Sequence, residues 1–129
     1  MKKKYLIVLA DYYQEISKGL LDSALKSIPK LSFIKIIKVP GVFEIPVIIS
    51  KNIRKYDAFL ALGCVIKGQT PHFDFISSAT TNAIMKLSVE SKKPIGNGVI
   101  TCLNLRQAKA RKKKGREAAK AVISVLSQK

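Results

Sequence analysis

The chain has a single histidine, and its neighbours are residues that do chemistry. His72 follows Lys67-Gly68-Gln69-Thr70-Pro71 and opens the longest helix-period segment. Free backbone N–H groups and the positive helix end therefore face one short loop, an arrangement that binds anions. Gly68 lets the backbone approach a ligand, Thr70 offers a hydroxyl and Lys67 adds charge. An imidazole beside such a pocket takes and returns protons near neutral pH. The same residues also read as an ordinary helix start, with Thr70 as the cap, Pro71 at the first helical position and His72 a hydrated surface group.

Gly41-Val42-Phe43-Glu44 follows Pro40 and opens a second helix-period segment. Free N–H groups of Val42 and Phe43 suit polar ligand atoms, and the Glu44 carboxylate suits ligand hydroxyls. The helix dipole alone also accounts for a carboxylate there. Tyr12 offers a ring for stacking on a planar ligand, or simply fills the sheet rim. The run Lys109 to Arg116 holds six basic residues in eight. A solvated helix end explains much of it, and it has neither interleaved aromatics nor a nucleic-acid-binding motif. Arg111, one turn after Gln107 and Ala108, is its candidate for bidentate phosphate contact.

The elements that position these residues alternate. Tyr5 to Leu9, Ser32 to Val39, Ala58 to Val65 and Ile95 to Thr101 read as strands. Gly19 to Ile28, Phe43 to Arg54, about His72 to Ser91, Leu105 to about Lys112 and Arg116 to Ser127 read as helices. Within the long helix, Phe75, Ala79, Ala83 and Leu87 are expected to form the buried stripe. The alternation predicts a three-layer, flavodoxin-like α/β sandwich with a four-stranded parallel sheet and helices on both faces. Ligands in such sheets bind beyond the carboxyl ends of the strands. Asp11-Tyr12-Tyr13, Gly41 to Glu44 and Lys67 to His72 fall there, while the fourth strand itself carries Gly96-Asn97-Gly98.

With 129 residues the chain fits one domain over 1–129, and its 47% apolar and 25% charged composition suits a globular protein. No apolar run approaches the roughly 18 residues of a membrane span. Cys64 and Cys102 lack metal-ligand spacing and read as buried thiols, so neither a disulfide nor a metal is expected, and the expected compartment is the cytoplasm. The net charge of +16 attracts anions, whether phosphorylated metabolites or nucleic acid.

The strings VPGVFEIP (Val39 to Pro46), ALGCVIKGQTPHFDFI (Ala61 to Ile76) and PIGNGVIT (Pro94 to Thr101) closely resemble 6,7-dimethyl-8-ribityllumazine synthases. Gln107-Ala108 with Arg111 resembles that family's later QA-x-x-R segment, and the likeness runs from about Lys4 to Leu126. The resemblance implies condensation of 5-amino-6-(D-ribitylamino)uracil with 3,4-dihydroxy-2-butanone 4-phosphate, without a cofactor, in the penultimate step of riboflavin biosynthesis. It implies proton transfer by His72 and a phosphate site of Gly68, Gln69, Thr70 and Arg111. Val42, Phe43 and Glu44 match the ribityl and pyrimidine-edge segment, Val65 and Ile66 the strand end beside the pyrimidine, and Tyr12 the stacking position. Tyr13 stands where the family usually has asparagine, and Asn97 where many members have a phenylalanine from the neighbouring subunit. The resemblance also implies a homo-oligomer, expected to be a pentamer because only Met1 to Lys4 precede the first strand. Neither nucleic acid nor membrane is an expected partner. The alternatives are an archaeal-type riboflavin synthase, whose reaction has no phosphorylated substrate, and a basic nucleic-acid-binding module.

Overall fold

Burial on both faces explains the two central strands. The computed structural model describes residues 2–128. β1 (Lys4–Ala10) and β3 (Ala58–Ile66) are continuous apolar runs, and their side chains alternate between two separate cores. β1 pairs in parallel with β2 (Phe33–Val39) and with β3, which pairs in parallel with β4 (Ile95–Cys102). The order β2-β1-β3-β4 and helices on each face make this the expected flavodoxin-like sandwich.

One face is covered by α1 (Gln14–Leu25) and α5 (Lys114–Leu126), assisted by the short α4 (Leu105–Ala110). There Tyr5, Ile7 and Leu9 of β1 meet Ile16 and Leu20 of α1 and Val122 of α5. The other face is covered by α2 (Ile45–Lys51) and α3 (His72–Ser91). Leu6, Val8 and Phe59 there meet Ile45, Ile49 and Ile84. Each fully buried Leu, Ile or Val contributes about 1.5–3 kcal/mol, so β1 and β3 carry more of the stability than the half-exposed β2. The exposed Lys35 and Lys38 also discourage further pairing along that edge.

α1 begins at Gln14 and ends at Leu25, not at the expected Gly19 and Ile28. Its buried stripe starts at Ile16, and the Ser17 hydroxyl donates to the Ala10 carbonyl at 2.6 Å, docking the first turn onto the end of β1. At the other end Ile28 precedes Pro29, whose ring disfavours helical backbone at the residue before it. The expected helix Phe43 to Arg54 is a 3₁₀ turn, Val42–Glu44, followed by α2, with Pro46 in its first turn. α4 stops at Ala110, and α5 starts at Lys114 rather than Arg116.

The buried stripe of α3 is not the one expected. Thr80 and Ile84 are buried, with Ile76 and Leu87 packed beside them, while Phe75 is 67% exposed and Ala79 faces outward. At about 100° per residue, three steps of four residues walk Phe75 to Leu87 roughly 120° around the helix. Steps of four, four and three return Ile76 to Leu87 within roughly 20°.

Candidate active site

The carboxyl ends of the four strands form one rim, and backbone hydrogen bonds carry the pairing past the strands into the loops. The Asp11 N–H donates to Val39 O at 3.0 Å, and the Lys67 N–H donates to Cys102 O at 2.8 Å. The second bond ties the Lys67–Thr70 loop to the end of β4, where the chain turns into α4.

After β1, Tyr12 is 74% exposed and meets Tyr13 edge-on, with ring centroids 4.9 Å apart and an interplanar angle of 79°. Tyr13 packs onto the α1/α5 core, and burial pushes its phenol above the usual range. Tyr12 thus presents a ring at the rim, while Tyr13 anchors it.

After β2, Val42 is buried against Ala10 and Gly63, so only its backbone faces the rim. A Cβ on Gly63 would lie 2.7 Å from Val42 Cγ1, which makes that glycine the seat of the turn. Phe43 is 60% exposed. Glu44 folds back over Gly41, its Oε1 3.3 Å from where a Cβ there would sit.

After β3, Val65 leans on the α2/α3 core and Ile66 on the α1/α5 core, each partly buried. Gly68, Gln69 and Thr70 are exposed, and a Cβ on Gly68 would meet nothing within 4 Å. Nothing inside the chain therefore requires glycine at 68. Thr70 does not sit at the helix cap position: Pro71 does, and His72 is the first helical residue. The Thr70 hydroxyl oxygen still accepts from the His72 N–H, at 3.4 Å, and His72 is exposed.

After β4, Asn104 caps α4 by accepting from the Gln107 N–H at 2.9 Å, and Gln107 Oε1 accepts from the Leu103 N–H at 2.8 Å. Ala108 is fully buried in the core. These contacts fold α4 back so that Arg111 Nη1 reaches Thr101 O at 3.4 Å, one residue before the carbonyl that receives Lys67. Asn97 lies not at a strand end but opposite Ala61 in mid-strand, with its Oδ1 accepting from the Val99 N–H at 3.0 Å. Arg111 and Asn97 share a cleft of about 690 Å³ along the free edge of β4, lined also by Thr101, Lys113 and Glu117. Tyr12, Phe43, Glu44 and His72 stand on the rim outside that cleft, so one chain does not enclose all of the candidate residues.

Asn104, Ser17 and Gly63 also position the rim, and the sequence expectations give none of them a role. Asn104 and Gln107 carry the N-x-x-Q spacing of a capping box, a signal that was available. Ser17 and Gly63 act through tertiary contacts that no local pattern marks. Among the described residues no group of three or more His, Cys, Asp or Glu is arranged to hold a metal ion.

Residues 2–129 match the model of the 6,7-dimethyl-8-ribityllumazine synthase family. The chain belongs to that family. Proteins named 6,7-dimethyl-8-ribityllumazine synthase give the same result. The one from Cutibacterium acnes is 38% identical over 133 residues, covering 96% of this chain and 80% of the relative. The one from Bartonella tribocorum is 39% identical over 140 residues, covering 100% of this chain and 93% of the relative. A third, from Corynebacterium kroppenstedtii, is 39% identical and covers 91% of this chain and 79% of the relative. The strand ends described above are thus those of a lumazine synthase family member, with likeness that spans the full set of elements.

Proposed function

We propose that this chain forms 6,7-dimethyl-8-ribityllumazine from 5-amino-6-(D-ribitylamino)uracil and 3,4-dihydroxy-2-butanone 4-phosphate. The amine on the pyrimidine adds to the ketone and expels water to give an imine, phosphate leaves, and the second amine closes the ring with loss of another water. These steps need proton transfer and placement more than a protein nucleophile. His72 moves protons as phosphate departs. Gly68, Gln69 and Thr70 hold the phosphate with Arg111. The Val42 backbone, Phe43 and Glu44 take the ribityl chain and pyrimidine edge, Tyr12 stacks on the ring, and Val65 and Ile66 form its apolar floor. Asn97 faces the ring from a neighbouring copy.

One observation carries the reading: the loop ahead of His72 is tied to the end of β4 by the Lys67–Cys102 bond, and Arg111 returns to the adjacent Thr101 carbonyl. His72 and Arg111 thus follow neighbouring strand ends, which supports pairing a proton-transfer role for one with a phosphate-binding role for the other. The bare space over Gly68 suits a ligand approaching its backbone. We further propose a homopentamer whose sites lie between adjacent copies, in the cytoplasm. The open cleft along β4 and the exposed apolar side chains Phe75, Met85 and Val89 on α3 support self-association. The number five follows from the family resemblance, and the two free, buried cysteines suit a reducing compartment.

Mixing the purified protein with both substrates and following the lumazine chromophore tests the activity. Appearance of the chromophore in proportion to protein, above the uncatalysed condensation, is the expected result. A rate equal to the protein-free reaction overturns the proposal.

A further inference from the structure

The basic run that begins at Lys109 does not form one solvated helix end. It breaks at the α4–α5 turn: Lys112, Lys113 and Arg116 line a groove between α1 and α5, Arg111 and Lys114 line the β4 cleft, and Lys113 borders both. Gly115 brings α5 into backbone contact with α1, because a Cβ there would overlap the Leu20 carbonyl. Gly19 on α1 is the matching notch, across which the aliphatic stem of Lys112 lies. The Ser23 hydroxyl pins the crossing, donating to Lys112 O at 2.9 Å and accepting from the Arg116 N–H at 3.1 Å.

The groove left beside this crossing has a volume of about 620 Å³, and Lys26, Lys112, Lys113, Arg116 and Lys120 line it. Asp22 is its one carboxylate. Among the described residues no carboxylate oxygen comes within 4.0 Å of any of these five cations, although Lys38, Lys109 and Lys114 elsewhere do find such partners. Like charges gathered in a cleft and left unpaired repel one another and focus a positive potential. No apolar or aromatic side chain lines the groove, which removes both membrane insertion and base stacking as sources of affinity. The groove offers charge and hydroxyl groups alone, and a chain of phosphates carries the matching charge.

We propose that the groove between α1 and α5 binds single-stranded nucleic acid through its phosphodiester backbone, without regard to base sequence. The five cations take phosphate oxygens as point charges, and a flexible strand settles into the cleft. This surface is separate from the rim that carries His72, and the proposal does not depend on the activity there.

The test is fluorescence anisotropy of a labelled oligouridylate with the intact protein. Five phosphate contacts predict a log–log salt slope of about −3.5, which is roughly a 130-fold loss of affinity between about 50 and about 200 mM salt. The variant Lys26→Gln/Arg116→Gln/Lys120→Gln, all exposed positions, is expected to bind at least tenfold more weakly with a flatter slope. Lys30→Gln/Lys51→Gln/Lys55→Gln removes the same charge from exposed positions outside the groove and is expected to stay within about threefold of the parent. The proposal is overturned by equal losses in the two variants, by absence of binding at about 50 mM salt, or by tighter binding to phosphatidylserine vesicles than to the oligonucleotide.

Discussion

Arg111 and Cys64 show how differently two residues are bound to the fold. Arg111 is exposed and makes a single 3.4 Å contact with Thr101 O, so its loss barely touches stability. Arg111→Ala is expected to raise KM for the butanone phosphate roughly tenfold or more, the worth of a charge-assisted hydrogen bond of about 1.5–3 kcal/mol. Steady-state kinetics with each substrate varied in turn checks this, and an unchanged KM moves the phosphate contact to another group. Cys64 is buried in the α1/α5 core, where desolvation first and the neighbouring Cys102 second push its thiol up from 9.0 to about 12. The unfolded chain then releases that proton before the folded one, so stability falls as pH rises from about 9 towards about 12. Urea midpoints at about pH 8 and about pH 10.5 are expected to differ less in Cys64→Ala than in the parent. An equal drop in both removes Cys64 as the cause.

At the scale of elements, the tightest constraint is the α1–α5 crossing. A methyl at 115 meets the Leu20 carbonyl, which is backbone and cannot rotate aside. Gly115→Ala is therefore expected to cost about 1–3 kcal/mol, read as a lower urea midpoint with unchanged slope. A midpoint equal to the parent's shows that the helices slide at no cost. No local pattern in KKKGREAAK marks that crossing, whereas the apolar runs of β1 and β3 were legible because burial on both faces leaves no polar alternation. The start of α1 is not legible in the sequence, because Gln14 and Glu15 carry no start signal of their own. Docking of Ser17 onto Ala10, a tertiary contact, decides it. The α3 stripe failed for a geometric reason, since equal steps of four drift around a helix with 3.6 residues per turn. The rim residues after β1, β2 and β3 were legible because sheet topology alone sends them to one edge. The place of Asn97 within the fourth strand was legible too, whereas its pairing opposite Ala61 follows from sheet register, which no local pattern marks.

For the whole molecule, the exposed Phe75, Met85 and Val89 leave α3 apolar on the side that faces away from its own sheet. Light scattering is expected to report five chains per particle, and Phe75→Glu to shift the population towards smaller species. A parent that scatters as a single chain rules out the assembly. Within each chain the sheet divides the interior so completely that β1 contributes Ile7 to one core and Val8 to the other. Truncations such as Leu20→Ala and Ile49→Ala, on opposite sides, are accordingly expected to sum to within about 0.5 kcal/mol, while pairs sharing a side deviate from additivity. Each helical layer is thus free to change its packing without informing the other, and the wall between them is only one strand thick.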